Sequence, residues 1–202
     1  MQVENYPSKA LANAVEAISS LPGVGSRSAL RLALHILRQP SEKIHRFAAA
    51  IDNLAEGVKY CSTCNMVSDG EQCSICSDAR RDHGTICVVA SVRDVMSIEA
   101  TGQYHGVYHV LGGIISPING IGPSDLTIRE LAGRVGPGIE VILALSGDVE
   151  GETTSFYIYR MIEKSGCTVT TLARGLGFGD ELEYADSLTL GRSIAARQPF
   201  KP

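Results

Sequence analysis

The sequence predicts a multidomain chain of α and α/β parts: a helical N-terminal region, a small four-cysteine module, a parallel α/β domain and an extended C-terminal tail. Three observations carry this reading. Apolar residues recur at helical spacing through the first 58 positions. Four cysteines then fall as two Cys-x2-Cys pairs. Beyond them, short apolar runs alternate with amphipathic stretches, the pattern of a parallel sheet covered on both faces. The expected divisions are 1–58, 59–78, 79–173 and 174–202.

The chain has 202 residues, 44% of them hydrophobic and 20% charged, which is enough to bury a core and argues against intrinsic disorder. No apolar run approaches the roughly 20 residues that span a bilayer. The first seventeen residues carry charges and no apolar stretch, so no secretory signal is expected and the chain reads as intracellular. Trp is absent, which leaves no evident stacking platform for single strands. The net charge of −4 is uneven, +2 over residues 1–60 and −6 over 61–202. A polyanion would therefore meet the N-terminal third, although ordinary surface charge explains the same numbers.

In order, residues 8–20 place Leu11, Ala14, Val15 and Ile18 on one helical face. Leu21-Pro22-Gly23-Val24-Gly25 is a turn, and Ser26 is placed to cap a second helix. That helix has an apolar stripe of Leu30, Ala33, Leu34 and Leu37, opposite Arg27, Arg31, His35 and Arg38. Pro40 ends it, and Ser41 is placed to cap a third, with Ile44, Phe47, Ala48, Ile51, Leu54, Ala55 and Val58 as its core face. After the cysteines come strands at 85–90, 106–113, 140–146 and 167–173, helices at 92–102, 126–135 and 152–166, and a Gly/Pro-rich loop at 112–125. The tail from 174 reads as loop.

The cysteine spacing is the strongest chemical signal: Cys61 and Cys64, eight intervening residues, then Cys73 and Cys76. Each pair wraps one edge of a metal, and four thiolates close a tetrahedron with no open position. This predicts one structural zinc per chain. Two independent redox pairs are the competing reading, but such pairs usually sit at a strand–helix junction, and turn residues border these. Cys87 and Cys167 stand alone beside apolar runs and read as small buried hydrophobes.

The turn around Gly23, Val24 and Gly25 exposes amides at a helix N-terminus, which is an anion site, and Arg27 and Arg31 add charge beside it. This is the pattern of a helix-hairpin-helix that grips the DNA backbone without reading bases. A plain αα-hairpin with a glycine turn is the alternative. In parallel-sheet proteins, acids just beyond strand ends can hold Mg²⁺. Asp148 and Glu150 follow the strand at 140–146, but position 90, after the first strand, is Ala, and the nearest acid is Asp94. With two acids only, a solvated acidic loop is the expectation. The glycines at 175, 177, 179 and 191, around Asp180, Glu181, Glu183 and Asp186, permit a nucleotide-binding reading, but no Gly-Lys dipeptide and hence no Walker A loop occurs.

Taken jointly, residues 21–29, the four cysteines, 86–89 with 93–95, 120–123, 149–153, 182–186 and 189–192 strongly resemble the RecR family of bacterial recombination mediators, essentially end to end. The resemblance implies a helix-hairpin-helix, a four-cysteine zinc finger, a Toprim domain and a Walker-B-like C-terminal segment. It implies a ring tetramer, a homotetrameric clamp on DNA, that works with RecO and RecF to load RecA onto single strands coated by SSB, in the bacterial cytoplasm at the nucleoid. It also implies no turnover of its own, and links the Toprim acids, here Asp148 and Glu150, to partner contact. Two positions depart from the family pattern: Ala90 stands where Glu is usual, and Gly177 where Pro is common. The alternatives are a Mg²⁺-dependent Toprim enzyme, primase or nuclease, which Ala90 disfavours, and a zinc-stapled scaffold with no DNA role.

Overall fold

The computed structural model describes residues 6–173, 175–177, 179 and 181–197. The chain divides at Val58/Lys59 into two compact units. The first holds α1 (Lys9–Ser19), α2 (Ser26–Leu37) and α3 (Ser41–Gly57). Helices α1 and α2 pack through Val15 against Ala29 and Ala33, with Leu11, Ile18, Val24 and Leu30 at the margin. Small alanines let the two helices approach closely. The buried line of α2 is therefore Ala29 and Ala33, while Leu34 and Leu37, expected in the core, face outward, as does Ala14 on α1. The expected core face of α3 is also outside: only Ile44 is half-buried, and no residue of the helix is buried. The caps differ too. Gly25 and Pro40 are the N-caps, and Ser26 and Ser41 are the first helical residues.

The second unit begins with a small antiparallel pair inside the cysteine module, β1 (Lys59–Tyr60) with β2 (Val67–Ser68), which the sequence pattern did not reveal. The main sheet contains β3 (Asp82–Val89), β4 (Gly106–Val110), β5 (Glu140–Leu143) and β6 (Thr168–Thr171), all parallel in the order β4-β3-β5-β6. Helices α4 (Val92–Glu99), α5 (Ile128–Ala132) and α6 (Val149–Ile162) connect the strands. One face of the sheet packs Ile86, Val88, Val141 and Leu143 against Leu131, Ile158 and Ile162. The other packs Cys87, Val89, Tyr108 and Val110 against Val95.

The tail is not loop-like throughout. A 3-10 turn at Leu182–Tyr184 leads into α7 (Ser187–Ala195). Asp186 accepts from the amide of Thr189 at 2.9 Å, the N-terminal capping contact that starts the helix. Arg192 pairs with Glu152 of α6 at 2.6 Å. Asp180 of the candidate nucleotide segment lies outside the described residues.

Candidate functional site

The hairpin between α1 and α2 is built by Gly23, whose φ of +79° is a conformation that side chains with a Cβ rarely adopt. The amide of Val24 closes the turn on Leu21 O at 3.1 Å. No side chain caps α2, and its first intrahelical bond runs from Ala29 N to Gly25 O at 2.9 Å. The donors ahead of that bond are the amides of Ser26, Arg27 and Ser28, one turn further along than the Gly23–Gly25 amides the sequence points to. Arg27 and Arg31 are exposed one helical turn apart, and neither is held in an ion pair among the described residues. With Leu30, Leu34, His35 and Arg38 they line a shallow groove of about 420 Å³ along α2. A positive groove continuous with a positive helix terminus attracts phosphates. His35 and Arg38 were legible as members of the basic face, but their place in one groove with Arg27 was not.

The four cysteines converge. Their sulfurs all lie within 4.8 Å of one another, every one is buried, and Cys64 Sγ stands 3.6 Å from Cys73 Sγ. A tetrahedral zinc with Zn–S of about 2.3 Å has S···S edges of about 3.8 Å, so the donor set and its spacing fit zinc. The amide of Cys76 donates to Cys73 Sγ at 3.4 Å, which stabilises a thiolate. At Cys61, burial raises the thiol, but backbone N–H groups around it prevail and bring it down to about 6. Cys87, by contrast, is pushed up to about 12 by burial and faces the sheet core.

At the carboxyl end of the sheet, the two predicted acids are engaged within the fold. Helix α6 starts at Val149, earlier than expected, so Asp148 is its N-cap and Glu150 lies in its first turn rather than in a solvated loop. Asp148 Oδ1 accepts from Gly151 N at 2.7 Å and from Ser146 Oγ at 2.9 Å. A Cβ at Gly151 would collide with Ser146 O, so only glycine lets the helix start this close to the segment that follows β5. Glu150 Oε1 accepts from Ser116 Oγ at 2.6 Å, and Ser116 in turn accepts from Asn119 Nδ2 at 2.8 Å. Ser116 carries no motif signal, and its role is visible only in three dimensions. Ala90, at the end of β3, packs on the core, and Asp94 serves the start of α4, where it accepts from Ser91 N at 2.8 Å.

A buried polar cluster lies beneath β4. Arg134 Nη1 donates to Tyr108 O at 2.8 Å and to His109 Nδ1 at 3.0 Å, and His109 Nε2 lies 2.7 Å from Thr127 O. This arrangement places the His109 proton on Nε2. Burial, with the Arg134 charge beside it, takes His109 down to about 4. On the opposite side, Arg81 pairs with Glu99, which also accepts from Tyr108 OH at 2.7 Å.

A helical hairpin with a basic groove, a buried cluster of four cysteines and a parallel α/β domain with acids at its carboxyl edge define a protein built from a helix-hairpin-helix, a four-cysteine zinc finger and a Toprim domain. Comparison with known families agrees segment by segment. Residues 11–55 match the RecR helix-hairpin-helix, 58–78 the RecR four-cysteine zinc finger domain, 84–173 the Toprim domain and 175–198 the RecR C-terminal segment. The chain is 52% identical to Recombination protein RecR of Porphyromonas gingivalis over 98% of its length and 97% of that protein. It is 54% identical to Recombination protein RecR of Bacteroides thetaiotaomicron over the same shares. The chain belongs to the RecR family. Among its described residues no helix is long and apolar enough to cross a membrane.

Proposed function

We propose that this chain is a DNA-binding mediator of recombinational repair in the bacterial cytoplasm, acting at the nucleoid as a ring-forming clamp. In this reading it works with RecO and RecF to load RecA onto single-stranded DNA coated by SSB. Family membership supports the role, and the single observation that carries DNA binding is the uncapped N-terminus of α2 with Arg27 and Arg31 beside it. Gly23, Val24 and Gly25 shape the turn that brings phosphates to the amides of the first helical turn. Contacts of this kind reach phosphates only, so binding is insensitive to sequence. The functional divisions are those at 1–58, 59–78, 79–173 and 174–202.

One protomer offers only a few charged contacts, and its net charge of −4 opposes DNA at long range. Self-association, with a ring tetramer as the proposed form, repeats the groove, and effective concentration raises affinity by as much as ~10²–10⁴. The row Phe47, Ile51 and Leu54 on α3, apolar and exposed, supports self-association. One structural zinc per chain sits on Cys61, Cys64, Cys73 and Cys76. The chain is not an enzyme in this reading: Ala90 supplies no ligand, and Asp148 and Glu150 already accept hydrogen bonds from Gly151, Ser146 and Ser116. The two acids remain placed at the sheet's carboxyl edge for partner contact.

Band-shift titrations of Arg27→Ala at several salt concentrations test the DNA site. The variant should weaken every DNA sequence alike and reduce the salt slope by roughly one unit per lost phosphate contact. An unchanged affinity and slope would move the DNA site away from the hairpin.

A further inference from the structure

The basic face of α2 does not stop at Arg31. Arg38 is the C-cap and keeps the right-handed helical conformation, at φ −85° and ψ −8°. Taken from Arg27, the helical period rotates Arg31 by about 40°, His35 by about 80° and Arg38 by about 20°, so all four stand on one face. From Arg27 to Arg38 the helix rises about 16 Å, which is about five nucleotide steps of one DNA strand. The far end of the row is held in place. Arg38 N donates to His35 O at 3.2 Å and Gln39 N to Ile36 O at 2.9 Å, and Pro40 then starts α3. Gln39 Nε2 donates to His35 Nε2 at 3.3 Å, which leaves the imidazole proton on Nδ1 as a donor.

Helix stability does not explain this row. Like charges one turn apart work against a helix, and a cation in the first turn, where Arg27 stands, opposes the helix dipole. No acid relieves them: the chain has no Asp or Glu between Glu16 and Glu42, and α2 has no acid in its first turn. Among the described residues, no carboxylate pairs with Arg27, Arg31 or Arg38. Only Arg38, at the negative end of the helix, has a favourable dipole of its own. Between the cations, Leu30 and Leu34 line the same groove of about 420 Å³. Cations of one sign with apolar side chains among them match a strand of DNA, in which charged phosphates alternate with the apolar faces of deoxyribose.

We propose that the DNA site runs the whole length of α2: His35 and Arg38 hold phosphates further along the strand that Arg27 and Arg31 engage, with Leu30 and Leu34 against the sugars between them. This rests on the DNA reading above and extends it from the helix terminus to a track. The track touches the sugar-phosphate backbone alone, so it carries no base preference.

The experiment uses the full chain, with Arg27→Ala, Arg38→Ala and Arg38→Lys compared on mixed-sequence oligonucleotides at several salt concentrations. Mass in solution and thermal melts accompany each titration. Arg38→Ala should bind every oligonucleotide several-fold more weakly, with a salt slope lower by roughly one unit per lost phosphate contact and an unchanged mass. Arg38→Lys keeps the charge and should recover most of the slope. If Arg27→Ala weakens binding while Arg38→Ala does not, DNA meets the hairpin but not the rest of α2, and the track alone is overturned. If neither variant changes affinity or slope, the DNA reading falls with it. A lower melting temperature in Arg38→Ala at unchanged slope would reduce Arg38 to a cation on a helix end. Retention of the chain on polyglutamate, lost in Arg38→Ala while DNA binding is kept, would make the occupant an acidic protein segment and would also overturn the proposal.

Discussion

The two units of this chain use their apolar residues in opposite ways. In the α/β unit, Val88, Leu131, Val141 and Ile158 are sealed from solvent between sheet and helices. Among the described residues of the helical unit, those buried are Val15, Ala29 and Ala33, while Phe47 is 59% exposed and Leu54 61%. A buried Leu- or Ile-sized side chain contributes about 1.5–3 kcal/mol, whereas ordering each residue's backbone costs about 1–2 kcal/mol. Half-buried Leu11, Ile18, Val24 and Leu30 add to this small core, and the apolar row of α3 stays exposed. An amphipathic pattern shows that a face is apolar. It does not say whether the same unit covers it.

The largest expected effect removes the metal from the α/β unit. Cys64→Ser should lose zinc and unfold the cysteine module, because structural zinc carries an apparent ~10–16 kcal/mol of binding free energy, comparable to a whole domain's stability. Cys87→Ser and Cys167→Ser should retain the metal. Zinc content and thermal melts of the three variants check this, and full zinc in Cys64→Ser would remove the assignment.

A matched pair tests the comparison directly. Ile158→Ala should cost about 2–5 kcal/mol, by lost burial and the cavity left behind. Leu54→Ala should cost no more than about 0.5 kcal/mol in dilute solution, with a cost that grows at concentrations where the chain self-associates. Denaturant melts at two protein concentrations separate these outcomes. A large, concentration-independent cost at Leu54 would break the comparison.

Acid should then strike the α/β unit through His109. Its folded value of about 4 lies below the usual 6.5, so between these limits the unfolded chain binds the extra proton and stability falls as pH falls. About 3 kcal/mol should be lost from pH 6.5 to pH 4, with no further loss from this group below that. His109→Gln should be less stable at neutral pH but flatter across this window, as pH-dependent melts would record. Equal slopes in both proteins would place the acid sensitivity elsewhere.

Much of the site was legible in the sequence because it is written in short-range spacing. The thiolates at 61, 64, 73 and 76 need only two tight turns to converge, and Gly23 with Arg27 and Arg31 needs one turn and one helix. What was misread depended on neighbours far along the chain. Ser116 meets Glu150 across 34 residues, and no local pattern marks it. The tail read as loop, whereas Asp186 starts α7, and that helix is held in part by Arg192 on Glu152, 40 residues earlier. Leu34 and Leu37 matched the helical period, but close α1–α2 packing selected Ala29 and Ala33 instead.

The sequence by itself determined the order of the parts, the alternation that makes a parallel sheet, the four cysteines that converge and the basic face of α2, since each follows from residue type at fixed local separation. The tertiary structure alone decided which apolar faces are covered, that Asp148 and Glu150 close onto Gly151 and Ser116, and that Cys64 and Asn65 close onto Val110, 45 residues beyond Asn65. Spacing along the chain sets what a turn or a helix can present. Which distant peptide group or hydroxyl meets it depends on packing among segments that the local sequence does not encode.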